Sequence, residues 1–443
     1  MRTKRFEEKK RRVRGEKVIG VDPGMDRHQV AVIDESGMQL GKSFSIPVSY
    51  EGFEEQLHKK LVMLMGEFEA SEVVFAVESS CNLWQTLCAW LSERGYKVVL
   101  VAPLTTRSSR ALVNHDFSKT DPKDAYLVGL NAQRGHYDEY RVYESWIESM
   151  HHLSITWSKL STDRVRNLQR LRSFIQNRFP EYLKVFPDVG VETSLYLLER
   201  YFLPQHFGEE IVLRELSAVR RISRGNYGKE KLIALVEASE RSIGIKEKGG
   251  EEESLRIILD GWLSELRCID RQMDRVGAKL VALAKGSEHF GILQSIKGVS
   301  ELGAARLIAE CRNFEGVTHY GQIEKFAGLN VRVSDSGRSR GARHINGIGN
   351  KRLNHLLNQI VSQVVRYTPE VANKYMRRQL IKASYRKNLI ASIPNFLKLI
   401  VALMREKRAY EFREEAVKEM LELKEKYEEL SRKRKWRTMK FAA

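Results

Sequence analysis

With 443 residues, 42% of them hydrophobic, the chain has room for two or three domains with proper cores. Lys+Arg number 75 against 57 Asp+Glu, and the formal net charge of +18 points to a polyanionic partner, nucleic acid before any other. Four cysteines without CxxC spacing argue against a disulfide framework or zinc site; the charged N-terminus has no secretory apolar segment, and no apolar run approaches the ~18 residues of a membrane span.

Residues 1–16 read as a basic arm. From Lys17, KVIGVD, HQVAVID and LGKSFSIPV predict three strands, with turns at Pro23-Gly24 and Glu35-Ser36-Gly37. A helix over about 50–67, the strand EVVFAVES, a helix over about 82–94, the strand YKVVLVAP and a helix starting near Asp121 follow. Three strands followed by alternating helices and strands predict an α/β sheet of RNase H-like order over 17–142.

From about Tyr143 the pattern changes to long helices. ESMHHLSITWSKLSTDRVRNLQRLRSFIQNRF and LRIILDGWLSELRCIDRQMDRVGAKLVALA are amphipathic at helical period, and the spacing predicts an antiparallel coiled coil within a helical insert over 143–289. Trp146, Trp157 and Tyr182 are candidates for base stacking, though helix packing is the commoner use of such residues. A mostly helical C-terminal domain over 290–443 opens with ILQSIKGVSELGAARLIAECRNF, a helix–hairpin–helix-like pattern. Gly298 and Gly303 there either bring backbone amides to a phosphate or serve turn and packing. VSDSGRSRGARHINGIGNKR reads as a polar loop, and the tail after Pro394 as a charged helix ending in SRKRKWRTMK.

Four carboxylates stand out. Asp22 and Glu78 end apolar strands, where an acid is costly unless paired or metal-bound. Asp121 and Asp124, in SKTDPKDAYLVG, share one face of a helix start; alone, Asp-Pro-Lys-Asp is also a good helix N-terminus. Together the four suit oxygen-liganded Mg²⁺, with Mn²⁺ as substitute, and two such ions activate the attacking oxygen and stabilise the leaving one in phosphodiester chemistry. Asp26 and His28 lie near enough in sequence to support Asp22.

The order GVDPG, AVES, KTDPKDA resembles the RuvC-type nuclease fold. Downstream, SIKGVSELGAARLIAE, FAGLNVRVSDSGRSR and INGIGNKRLNHLL resemble the C-terminal domain of the DEDD transposases, the insertion-sequence one-ten family, relatives of the Piv invertases. The resemblance covers about 17–135 and 290–366. It implies that Asp22, Glu78, Asp121 and Asp124 bind metal and that Ser336 attacks the DNA phosphate. It further implies a structured non-coding guide RNA that pairs with donor and target DNA. Asn330-Val331 and Asp335-Ser336-Gly337 depart from the family's usual Pro and Ser-Ser-Gly, which leaves Ser334 and Ser339 as rival nucleophiles. Arg338, Arg340, Arg343, Lys351 and Arg352 are the candidate nucleic-acid contacts.

The expected activity is transposition or site-specific recombination by a homo-oligomer, dimer or tetramer, at the nucleoid in the cytoplasm. The alternative is a RuvC-like Holliday-junction endonuclease that hydrolyses by two metals and does not rejoin. Ser336 lies over two hundred residues past the acids, so a site holding both is assembled by folding or between protomers.

Overall fold

The structure, a computed structural model, describes residues 2–112, 118–246, 250–332, 335–336, 339–340, 344–381 and 384–441. The chain divides into two compact units, residues 1–143 and 144–443.

The first unit is α/β. Its strands are β1 (Lys17–Asp22), β2 (Arg27–Ile33), β3 (Phe44–Pro47), β4 (Val73–Glu78), β5 (Lys97–Val101) and β6 (Asp138–Glu139), in sheet order β3-β2-β1-β4-β5-β6. β1, β2 and β3 pair antiparallel, β4 and β5 run parallel to β1, and β6 closes the edge antiparallel. The helices are α1 (Arg2–Val13), α2 (His58–Met65), α3 (Gln85–Glu93), α4 (Pro103–Ser109) and α5 (Asp121–Gln133). Period-two alternation divides the central strands between two apolar layers. Ile19, Val21, Val30, Val32, Phe75 and Val77 face one layer with Phe53, Leu61 and Leu91. Val18, Val74, Ala76 and Val99 face the other, with Val128 and Ala132 of α5.

The basic segment expected as an arm is helical. α1 buries Val13 and ties itself to the end of the unit: Lys9 bonds the Tyr137 carbonyl, the Tyr137 hydroxyl donates to the Lys9 carbonyl at 2.9 Å, and Phe6 packs on His136.

The second unit is helical. Its helices are α6 (Ser145–Arg178), α7 (Tyr182–Val185), α8 (Glu192–Leu198), α9 (Glu210–Ile222), α10 (Lys229–Glu240), α11 (Glu251–Ala284), α12 (Glu288–Gln294) and α13 (Glu301–Glu310). α14 (Tyr320–Phe326), α15 (Lys351–Val364), α16 (Pro369–Leu380), α17 (Tyr385–Glu406) and α18 (Glu414–Phe441) complete it. α6 and α11, each 34 residues, lie antiparallel: Arg164 meets Asp270, Asn167 and Arg170 meet Glu265, and Arg178 meets Glu251. α7–α10 pack a separate core at one end around Tyr182, Phe179 and Phe186. α12, α13, α15 and α17 share the other core.

Pro394 lies inside α17 rather than ahead of a charged tail. That helix is long and apolar enough to cross a membrane, yet Asn388, Ser392, Phe396, Leu397 and Ile400 are buried within the unit. The segment expected as a polar loop carries short ladders: β7 (Val331–Arg332) pairs with β10 (His344–Ile345), and β8 (Asp335–Ser336) with β9 (Ser339–Arg340).

Candidate active site

The sheet register brings the acids together. β1 and β4 pair in parallel up to Val21↔Val77, so Asp22 and Glu78 come next on neighbouring strands. Both alternate onto the layer covered by α5. Gly20 explains how closely that helix approaches: a Cβ there would meet the Ala125 carbonyl oxygen at 2.2 Å and the Gly129 nitrogen at 2.6 Å. This packing seats the first turn of α5 over the strand ends, with Asp124 only 2% exposed and Asp121 exposed beside it. Pro122 in the first turn and Thr120 in extended backbone before it start the helix there.

The electrostatics follow from this placement. Burial first, then the carboxylates of Glu78, Asp124 and Asp121, push the Asp22 carboxyl up to about 7, against a smaller downward pull from Lys119. Asp124 is held by Arg110, whose Nε donates to Oδ1 at 2.9 Å and whose Nη2 donates to Oδ2 at 2.7 Å. Arg110 follows α4, which is fastened to α5 by the Ser109 hydroxyl donating to Asn131 Oδ1 at 2.9 Å. Neither Arg110 nor the role of Gly20 is among the residues the sequence predicts for the site. A glycine amid the strand residues of VIGVD is a visible sign of close backbone approach, whereas nothing local distinguishes Arg110 from the other basic residues.

Four carboxylate groups are the donor chemistry a hard divalent cation takes, and the Asp22 carboxyl, raised by burial and then by like charge, is one such a cation would favour in its ionised form. Among the described residues, however, no three His, Cys, Asp or Glu side chains close around one point. The acids are neighbours without being drawn to a common centre.

His28 does not support Asp22. Asp22 pairs with Gln29, and alternation turns His28 to the opposite layer, where it is fully buried and stacks on Phe53 at 5.7 Å. Burial lowers it to about 4, so the ring is neutral near pH 7. Asp26 is exposed, and its carbonyl accepts from Val48 at 2.9 Å.

In the second unit, Ser336 lies in β8 opposite Ser339 of β9, and Arg340 lies opposite Asp335. Ser334, Arg338 and Arg343 fall outside the described residues. Lys351 bonds the Gly347 carbonyl at the start of α15. Arg352 is turned to Glu310: its Nε donates to Oε1 at 3.0 Å and its Nη2 to Oε2 at 3.2 Å. The Ser154 hydroxyl (2.9 Å) and the Asn350 amide (2.7 Å) complete the shell of this buried carboxylate. Trp157 lies 4.0 Å beneath the Arg306 guanidinium, Trp146 donates to Glu144, and Tyr182 is fully buried with its hydroxyl at Ser194. Gly298 takes a φ of +103° in the turn before α13, and a Cβ on it would meet the backbone of Gln363 and Val364 at 3.0 Å. Turn and packing therefore account for this glycine.

Two family models match the chain. The DEDD transposase model of the IS110 type covers residues 19–180, and that of the transposase IS116/IS110/IS902 family covers residues 291–377. No individual curated protein matches.

Proposed function

Because this chain belongs to the IS110 family of DEDD transposases, enzymes that cleave and rejoin DNA as an insertion sequence moves, we propose that Asp22, Glu78, Asp121 and Asp124 are its metal-binding acids and Ser336 its nucleophile. The observation that carries the reading is a half-buried Asp22 with Glu78, Asp124 and Asp121 near it: burial first, and then these like charges, raise its carboxyl to about 7. Strongly perturbed carboxyls cluster at functional sites. The strand order β3-β2-β1-β4-β5, with acids at the ends of β1 and β4, supports an RNase H-like platform.

Mg²⁺, or Mn²⁺ in its place, supplies charge neutralisation and polarisation of the phosphate when bound. The chain's own groups do the rest. Asp22 and Glu78 are fixed by sheet register, Asp121 and Asp124 by the first turn of α5. The Ser336 hydroxyl attacks phosphorus, a P–Oγ bond forms, and one bridging P–O bond breaks, releasing a DNA hydroxyl. The phosphoserine keeps the phosphodiester energy, so a hydroxyl of another strand can displace Oγ and join without ATP. Arg338, Arg340 and Arg343 neutralise the phosphate, with Lys351 as a further nucleic-acid contact, whereas Arg352 is spent on the buried Glu310 and serves the fold. A structured non-coding RNA guides donor and target pairing, and a dimer or tetramer handles the strands in the cytoplasm.

Ser336→Ala tests the nucleophile. The variant is expected to fold, to bind Mn²⁺ like the parent, and to lose strand joining and the covalent protein–DNA adduct together. Continued joining would reject the serine. Retained cleavage without joining or adduct would favour metal-dependent hydrolysis at a junction.

A further inference from the structure

Arg110 stands where a cation is wanted. Its planar fork takes both oxygens of Asp124, one from Nε and one from Nη2, and the Asp124 side chain is 2% exposed. Its positive charge also acts on Glu78 and Asp22. One guanidinium thus answers three of the four acids proposed to bind metal. Its own side chain is 17% exposed, so a route to solvent is open to it. The neighbouring Ser109–Asn131 hydrogen bond anchors the backbone behind it onto α5, which keeps the fork aimed at the carboxylate.

Resting on the metal-site reading above, we infer that Arg110 is a placeholder cation: it holds Asp124 in the metal-free protein and yields that carboxylate when a divalent cation binds. A carboxylate with both oxygens engaged by a bidentate arginine must trade those bonds for the ion. Metal affinity in the parent protein is therefore reduced by the strength of the Arg110–Asp124 pair. A pair that only held the fold would behave oppositely: its loss would leave Asp124 poorly placed, and metal binding would weaken.

The full-length protein, titrated calorimetrically with Mn²⁺ alone and melted in chelator or in Mn²⁺, separates the two. Arg110→Gln should melt below the parent in chelator, bind Mn²⁺ about tenfold more tightly, and show a larger Mn²⁺-induced rise in melting temperature. Arg110→Lys, which keeps the charge without the fork, should fall between the two and stands in if the Gln variant does not fold. Equal or weaker Mn²⁺ binding in both variants would overturn the placeholder role while leaving the metal site intact. Absence of Mn²⁺ binding in the parent and both variants would remove the metal-site reading and this inference with it.

Discussion

Two buried carboxylates, one in each unit, meet arginine in the same bidentate way and differ in everything around the pair. Glu310 is 1% exposed and receives Arg352 together with Ser154 and Asn350, so each oxygen accepts two donors. Hydrogen bonds and the Arg352 charge outweigh burial and hold its carboxyl below the usual range. Asp124 receives Arg110 and lies near Asp22, whose carboxyl is pushed up by burial and then by the like charges of Glu78, Asp124 and Asp121. The first is a completed ion pair and belongs to the fold. The second is electrostatically unfinished, and the charge still wanted there is positive. Burial and an arginine partner alone therefore do not separate a structural carboxylate from one proposed to bind metal; the balance of donors and like charges is what differs between these two.

The contrast can be broken from either side. The largest effect is expected from Glu310→Gln, which leaves Arg352 and the buried Arg306 without their counter-charge and should cost about 3–5 kcal/mol in denaturant unfolding, the same with or without Mn²⁺. Asp124→Asn should cost less, about 1 kcal/mol, because it also removes one of the repelling charges, and it should abolish the Mn²⁺ response that the Glu310 change leaves alone. Gly20→Val attacks the platform itself: its side chain would occupy the place of the Ala125 carbonyl and force α5 away, costing about 1–3 kcal/mol and separating Asp124 from Asp22. Circular dichroism melts and Mn²⁺ titration of that variant should show a folded protein with no metal response.

The smallest effect lies in pH dependence without metal. A carboxyl raised from 3.8 to about 7 on folding contributes stability that is complete below its unfolded value and lost as pH rises through 7. The chelated parent should therefore lose stability between about pH 4 and 7, and Asp22→Asn should flatten that slope. At pH 8 the Asn variant should melt about 2–4 °C higher than the chelated parent.

Much of this is legible in the amino-acid sequence. Apolar runs ending in Asp22 and Glu78 became β1 and β4, and Asp-Pro-Lys-Asp opens α5, with Thr120 rather than Asp121 in the cap position. The two long amphipathic stretches became α6 and α11. What escaped depends on packing between distant segments. The face on which His28 lies is decided by the Asp22↔Gln29 register, not by its closeness to Asp22 in sequence. Arg110 acquires its partner only when α4 is fastened to α5. Glu310 reads as an ordinary helix end until Asn350 and Arg352 arrive from forty residues away. The ladders around Ser336 are two residues long and have no apolar alternation, so a polar loop was the natural expectation. Pro394 looked like a boundary, yet the core that α17 enters holds the helix on both sides of it.

Anomalous scattering from crystals of the full chain grown with Mn²⁺ would test the central claim most directly. A peak ligated by Asp22 and Glu78, with Arg110 turned away from Asp124, is the predicted result. Saturating Mn²⁺ with no peak at these carboxylates, and Arg110 still forked onto Asp124, would contradict it.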